Sequence, residues 1–181
     1  MILTGEKGFT IVEILVVLII VSILASLAVI GPEFIRNENI AKASKELLAD
    51  LQRIRQDAMT TGTSVNSMGF GIKFVNAGSY TIFEFNDADG DFQYDGTGEE
   101  ANVIHKYLSS SIVINKNGAT PDNDVLIYDK RGIPRNSDWT FAQMTIAVKH
   151  ESDSSAQQKC VVVSTSRIRE GLWNGSNCQE Q

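Results

Sequence analysis

The sequence predicts an α+β protein. One long N-terminal α-helix, transmembrane in its first half, packs through its second half on an antiparallel β-sheet head. Three observations carry this. From Ile14 to Ile30 the chain is apolar, interrupted only by Ser22 and Ser26, and its bulk can span or nearly span a bilayer core. Ile40, Ala43, Leu47, Leu48, Leu51, Ile54 and Ala58 then recur at three- and four-residue steps among charged residues, the pattern of a helix with one buried face. From Ser67 onward the apolar period changes to two, which marks strands.

Taken in order, the chain divides into a short leader (1–8), a membrane or core helix (9–30), an amphipathic helix (31–62) and a β-rich head (63–181). Gly31-Pro32 should loosen the helix without necessarily ending it, and Gly62 with its Thr and Ser neighbours should stop it. A helix from Phe9 to about residue 61 would measure roughly 80 Å. The expected strands are Met68–Val75, Ser79–Phe85, Val103–Leu108, Ile112–Asn115, Val125–Tyr128, Phe141–Val148, and Cys160–Ser164 running on towards Arg169. Asn76-Ala77-Gly78, Asn117-Gly118 and Arg131-Gly132-Ile133-Pro134 supply turns. Short antiparallel strands with one face on a helix make an α+β domain.

The formal net charge is −6, which gives no general attraction to nucleic acid or to an anionic membrane. Within the apolar helix one carboxylate is out of place. A charge deep in a membrane costs about 2.5–3.5 kcal/mol on insertion scales, so Glu13 reads as functional and needs a partner.

Gly8-Phe9-Thr10-Ile11-Val12-Glu13, behind a leader ending in Lys7-Gly8, resembles the processing site of type IV prepilins and type II secretion pseudopilins. The resemblance implies cleavage after Gly8 by a prepilin peptidase and N-methylation of Phe9. It implies a single-pass protein of the bacterial inner membrane with its head in the periplasm, later recruited into a pilus or pseudopilus of other subunits. Glu13, one helical turn from the new Phe9 ammonium, would neutralise that amine on a neighbouring subunit and pin the register of assembly. A secretory signal would instead show a basic n-region and no carboxylate in its apolar core. Leu24-Ala25-Ser26-Leu27-Ala28 only mimics a signal cleavage site. Export makes a Cys160–Cys178 disulfide the expected fate of the two cysteines, worth roughly 3 kcal/mol for a loop of this size.

The second half resembles GspH/FimT-type minor pilins. The shared stretches are the acidic loop Phe85-Asn86-Asp87-Ala88-Asp89-Gly90-Asp91, the strand and turn Ile127-Tyr128-Asp129-Lys130-Arg131-Gly132, and the closing Val161-Val162-Val163-Ser164 through Arg167-Ile168-Arg169. The resemblance implies a low-abundance structural subunit that primes assembly at the filament tip. The alternative is a subunit displayed on a pilus that binds DNA or another ligand through its C-terminal region.

Four further groups bear on chemistry. Asp87, Asp89, Asp91 and Asp95 offer the hard oxygen ligands that calcium takes. Phe92 stands where an EF-hand needs Gly, however, and Gly98 where it needs its closing Glu, so a solvated acidic turn is favoured. Arg167 and Arg169 alternate on a late strand, where some FimT-type proteins of DNA-uptake pili carry Gly-Arg-x-Arg. Ser166 replaces the Gly here, and two arginines solvating an edge strand are the favoured reading. Trp139 and Trp173 are expected to pack, with Trp173 open to a partner if exposed. His105 and His150 have no nucleophile motif near them, no Ser sits in a Gly-x-Ser-x-Gly elbow, and no phosphate-binding Gly loop appears. The sequence makes no case for an enzyme or a cofactor other than calcium.

Overall fold

The computed structural model describes residues 8–60, 67–117, 124–153 and 156–180. Residues 1–7 of the leader, the helix stop at Gly62 and the Gly118 half of one expected turn lie outside the described residues. The chain forms two compact units, Met1–Arg36 and Asn37–Gln181. Helix α1, Ile11–Thr60, contributes to both, and Pro32 lies inside it.

In the first unit the apolar side chains of α1 are exposed on every side, as at Ile11, Leu15, Leu18 and Leu24. This helix is long and apolar enough to cross a membrane by length and composition. An all-round apolar helix needs an apolar surrounding. The two hydroxyls inside the run turn back on the helix: Ser22 donates to the Leu18 and Ile19 carbonyls at 2.9 and 2.8 Å, and Ser26 to the Ile23 carbonyl at 2.7 Å.

In the second unit the same helix has one buried face. Ile40, Leu47, Leu51 and Ile54 are at most 1% exposed, as their three- and four-residue spacing requires. They pack on two antiparallel five-stranded sheets. Sheet 1 has the order β3-β2-β1-β5-β6, built from β1 (Ser67–Asn76), β2 (Ser79–Asn86), β3 (Glu100–Tyr107), β5 (Val125–Asp129) and β6 (Pro134–Arg135). Sheet 2 has the order β10-β9-β8-β7-β4, built from β4 (Ile112–Asn117), β7 (Met144–His150), β8 (Lys159–Val163), β9 (Ile168–Trp173) and β10 (Cys178–Glu180). Ile72, Tyr80 and Leu126 of sheet 1 and Ile112, Ile146 and Val161 of sheet 2 meet the helix in one core.

Asp50 is a buried carboxylate on that helix face. Tyr80 donates its hydroxyl to Asp50 Oδ2 at 2.8 Å, and Lys106 Nζ stands 3.2 Å from the same oxygen. Burial, and then the Asp50 carboxylate, push the Tyr80 hydroxyl well above its usual pKa, so it stays a donor. A buried carboxylate with two partners is tolerable where an unpaired one is not.

Sheet 1 is buried on both faces. Ile82 of β2 faces the helix, while Phe83 and Phe85 form a second cluster with Val125 and Ile127, covered by Tyr94 and Trp139. Gly71 on β1 makes room for this, because a Cβ there would lie 2.5 Å from the Phe83 ring.

Several strand expectations are corrected. The stretch from Cys160 towards Arg169 is two strands, β8 and β9, parted by a turn in which Ser164 N–H donates to the Arg167 carbonyl at 3.0 Å. β7 starts at Met144 rather than Phe141, which makes only an isolated bridge to Arg135. β3 starts three residues earlier than expected, at Glu100. The short strands β6 and β10 were unforeseen: each has three residues or fewer, too few to show a period.

Candidate functional site

The N-terminal site begins at Gly8 and Phe9, both exposed ahead of α1. Thr10 is its cap: the Thr10 carbonyl accepts from Ile14 N–H at 3.2 Å, and the Thr10 hydroxyl accepts from Glu13 N–H at 3.3 Å. Thr10-x-x-Glu13 therefore has the spacing of a capping box. Glu13 sits in the first helical turn, where the partial positive charge of the helix end favours a carboxylate. The T-x-x-E spacing at Thr10 and Glu13 is a legible sequence signal for this cap.

The acidic loop is the solvated turn favoured from sequence at Asp89, Asp91 and Asp95, which are exposed, but not at its base. Asp87 and Glu99 are buried, at 8% and 6% exposure, and each carboxylate is occupied by backbone donors. Asp87 accepts from Gly90 N–H at 2.8 Å and Phe92 N–H at 3.2 Å. Glu99 accepts from Ala88 N–H at 3.3 Å and Asp95 N–H at 2.8 Å. The loop is thereby cinched at both ends and lays Tyr94 over Phe83 and Phe85, with ring centroids 5.3 and 6.1 Å apart. Tyr94 donates its hydroxyl to Glu100, and Lys73 Nζ reaches Glu100 at 2.9 Å. Burial, then the Glu100 carboxylate, lift the Tyr94 hydroxyl to about 12.

Of the four predicted calcium ligands, Asp89, Asp91 and Asp95 are exposed and bring one oxygen each within 4.8 Å of one another. Asp87 instead groups with Asp89 and Glu99. The four do not converge on one centre. Glu99, the more deeply held carboxylate, was missed because its partners lie four and eleven residues away, at no motif spacing.

The Asp129 turn anchors the end of the helix. Asp129 Oδ1 accepts from Arg131 N–H at 2.9 Å and Ile133 N–H at 3.0 Å, and its Oδ2 receives Arg135 at 3.0–3.1 Å. Burial alone would raise the Asp129 pKa, but these two backbone donors and the Arg135 and Arg131 guanidiniums outweigh it and hold the carboxyl below its usual range. Gly132 takes φ 71, and a Cβ there would press on Met59 at 2.8 Å. Arg55 of α1 donates to the Gly132 carbonyl at 2.9 Å and to the Ser166 carbonyl at 3.3 Å. One helix side chain thus ties the turn after β5 to the turn after β8.

The C-terminal region holds the Cys160–Cys178 disulfide, with Cα atoms 5.9 Å apart. Gly171 leaves space for it, since a Cβ there would stand 2.8 Å from Cys178 Sγ. The bridge fixes β10 beside β9 and brings Glu180 against both candidate DNA-binding residues: Arg167 reaches its Oε1 at 2.7 Å, and Arg169 pairs with the same oxygen. The two arginines do come together, around the exposed carboxylate of Glu180.

A long apolar helix capped at Thr10 and a two-sheet head with its helix as spine define the pilin class of subunit. Comparison with known proteins narrows the class. The prokaryotic N-terminal methylation motif matches residues 3–29. The family described as type II transport protein GspH matches residues 43–166, more than half of the chain, and the chain belongs to that family. Its structure is similar to that of the minor pseudopilin EpsH from the type 2 secretion system of Vibrio cholerae, with a TM-score of 0.52 at 11% identity, covering 77% of this chain and 99% of that one. At that identity the likeness concerns the fold alone. No curated protein matches the sequence. By that family and its methylation motif the protein is a pseudopilin, a structural subunit.

Proposed function

We propose that the chain is cut between Gly8 and Phe9 by a prepilin peptidase, methylated on the Phe9 amine, held in the inner membrane with its head in the periplasm, and recruited with other pseudopilins into a secretion pseudopilus. Like EpsH, it belongs in this reading to a type II secretion system. One observation supports it above the rest: the methylation-motif match spans residues 3–29, a stretch that includes the Gly8–Phe9 bond and the start of a helix whose large apolar side chains are exposed. Glu13 then has two sequential roles. In the free subunit it lies at the helix end behind Thr10; in the filament it meets the methylated amine of a neighbour, where a paired charge replaces an unpaired one in an apolar bundle.

The test is the intact mass, with N-terminal fragmentation, of the protein from membranes of its native host. The expected species begins at methylated Phe9. A chain beginning at Met1, or cut near Ala28, would overturn the reading. Glu13→Ala should be cut normally yet enter filaments poorly, and normal incorporation of that variant would remove Glu13 from assembly.

A further inference from the structure

A groove of about 410 Å³ opens beside the edge of sheet 2, where Gln157, Gln158, Leu172, Trp173, Asn174 and Gln179 line it. Its lining carries no Asp, Glu, Lys or Arg among the described residues. Trp173 belongs to neither apolar cluster. Among the described residues its ring stacks on no other ring, and its indole N–H has no hydrogen-bond partner. Trp139 is the contrast: it packs on Phe85 at 5.5 Å and under Arg135 at 5.9 Å. The side-chain amides of Gln157, Gln158 and Gln179 likewise engage no described residue. Asn174 commits its Oδ1 to Ser176 N–H at 3.0 Å and Asn177 N–H at 2.7 Å, which leaves its NH₂ group.

We propose that this groove binds a neutral saccharide built of pyranose units. An indole offers a broad apolar face with a polar edge, which matches a pyranose ring: C–H groups on its faces, hydroxyls around its rim. Each carboxamide can donate and accept at once, as a hydroxyl can. An uncharged lining has no counter-ion for a phosphate, a carboxylate or an ammonium, so a neutral polyol fits it better than an ion. The volume lies within the range of about 300–1,000 Å³ found for small-molecule sites. The walls are held in place before any ligand arrives. Trp173 N–H donates to the Gln158 carbonyl at 3.1 Å, Trp173 pairs with Cys178 across β9 and β10, and the disulfide clamps Cys178 to β8. Such preorganisation lowers the ordering cost of binding. Trp173, Asn174 and Gln179 lie C-terminal to the span matched by the family model, and Gln157 and Gln158 lie within it.

The full chain in micelles of a zwitterionic detergent without a sugar headgroup would be titrated with chitotriose and with cellotriose, read by side-chain amide and indole NMR signals. The expected result is saturable movement of the Trp173 indole and of the Gln157, Gln158, Gln179 and Asn174 amides, the Trp139 indole staying still, with a dissociation constant of about 1 mM. Trp173→Ala should weaken binding by about tenfold or more, and Gln158→Ala by less. Three outcomes overturn the proposal: no saturable shift with either saccharide up to about 20 mM, undiminished binding by Trp173→Ala, or equal binding of triglycine, which would make the groove a peptide site. Should Trp173→Ala fail to fold, the wild-type shift map decides, since shifts centred away from the groove also overturn it.

Discussion

The two halves of α1 are one helix under opposite rules. From Ile11 to Leu24 its large apolar side chains are all about half exposed or more, whereas at Ile40, Leu47, Leu51 and Ile54 they are sealed. Their polar groups differ in the same sense. Ser22 and Ser26 hydrogen-bond only to carbonyls of their own helix; Asp50 and Arg55 reach across to Tyr80, Gly132 and Ser166. The first half conceals its polarity so that any apolar neighbour will do. The second half uses its polarity to choose one neighbour. The two halves therefore differ in what a substitution can damage: assembly in the first, the head's own fold in the second.

The largest expected effect is on the sealed face. Leu51→Ala should cost the head about 2–5 kcal/mol, the usual range for emptying a well-packed leucine site, while Leu18→Ala leaves the head's thermal melt unchanged. Equal losses would break the distinction between the halves. A smaller effect is expected at the helix end. Arg55→Ala removes two charge-assisted bonds to carbonyls and should cost about 1–3 kcal/mol; Ser22→Ala, which removes only local bonds, should leave the head's melt where it is.

The smallest is a slope against pH at the turn on which Arg55 lands. The Asp129 carboxyl is held below its usual range in the folded head, so the unfolded chain binds that proton more readily. Its contribution is complete above the ordinary carboxylate value near pH 4 and is lost as pH falls through the lowered folded value. The head's melting temperature should decline more steeply below about pH 4 in the wild type than in Asp129→Asn, and parallel profiles would remove Asp129 from the account.

What could be read in the sequence was whatever has a period or a motif. The exposed run, the sealed helix face and the strands β1 and β2 follow from spacing alone. The methylation motif, matched over residues 3–29, is legible because it is confined to consecutive residues. What stayed hidden lies in contacts between distant positions. Nothing local to Glu180 says that it will sit between Arg167 and Arg169, because only the disulfide and the β9–β10 pairing bring it there. Glu99 stands at no motif spacing and proved to be the clasp of its loop. The acidic residues were read as a group by their density, although burial separates Asp87 and Glu99 from Asp89, Asp91 and Asp95.

The cap at Thr10 also sets what a subunit can do while it waits. A cut after Gly8 removes everything before Phe9 and leaves Thr10 in place, so the bond from Glu13 N–H to the Thr10 hydroxyl outlives the leader. The carboxylate remains at the end of an intact helix, near the partial positive charge of its free N–H groups. On the proposed function, a processed subunit without a neighbour would be a reservoir species, persisting alone while it carries the charge that a neighbouring amine would seek.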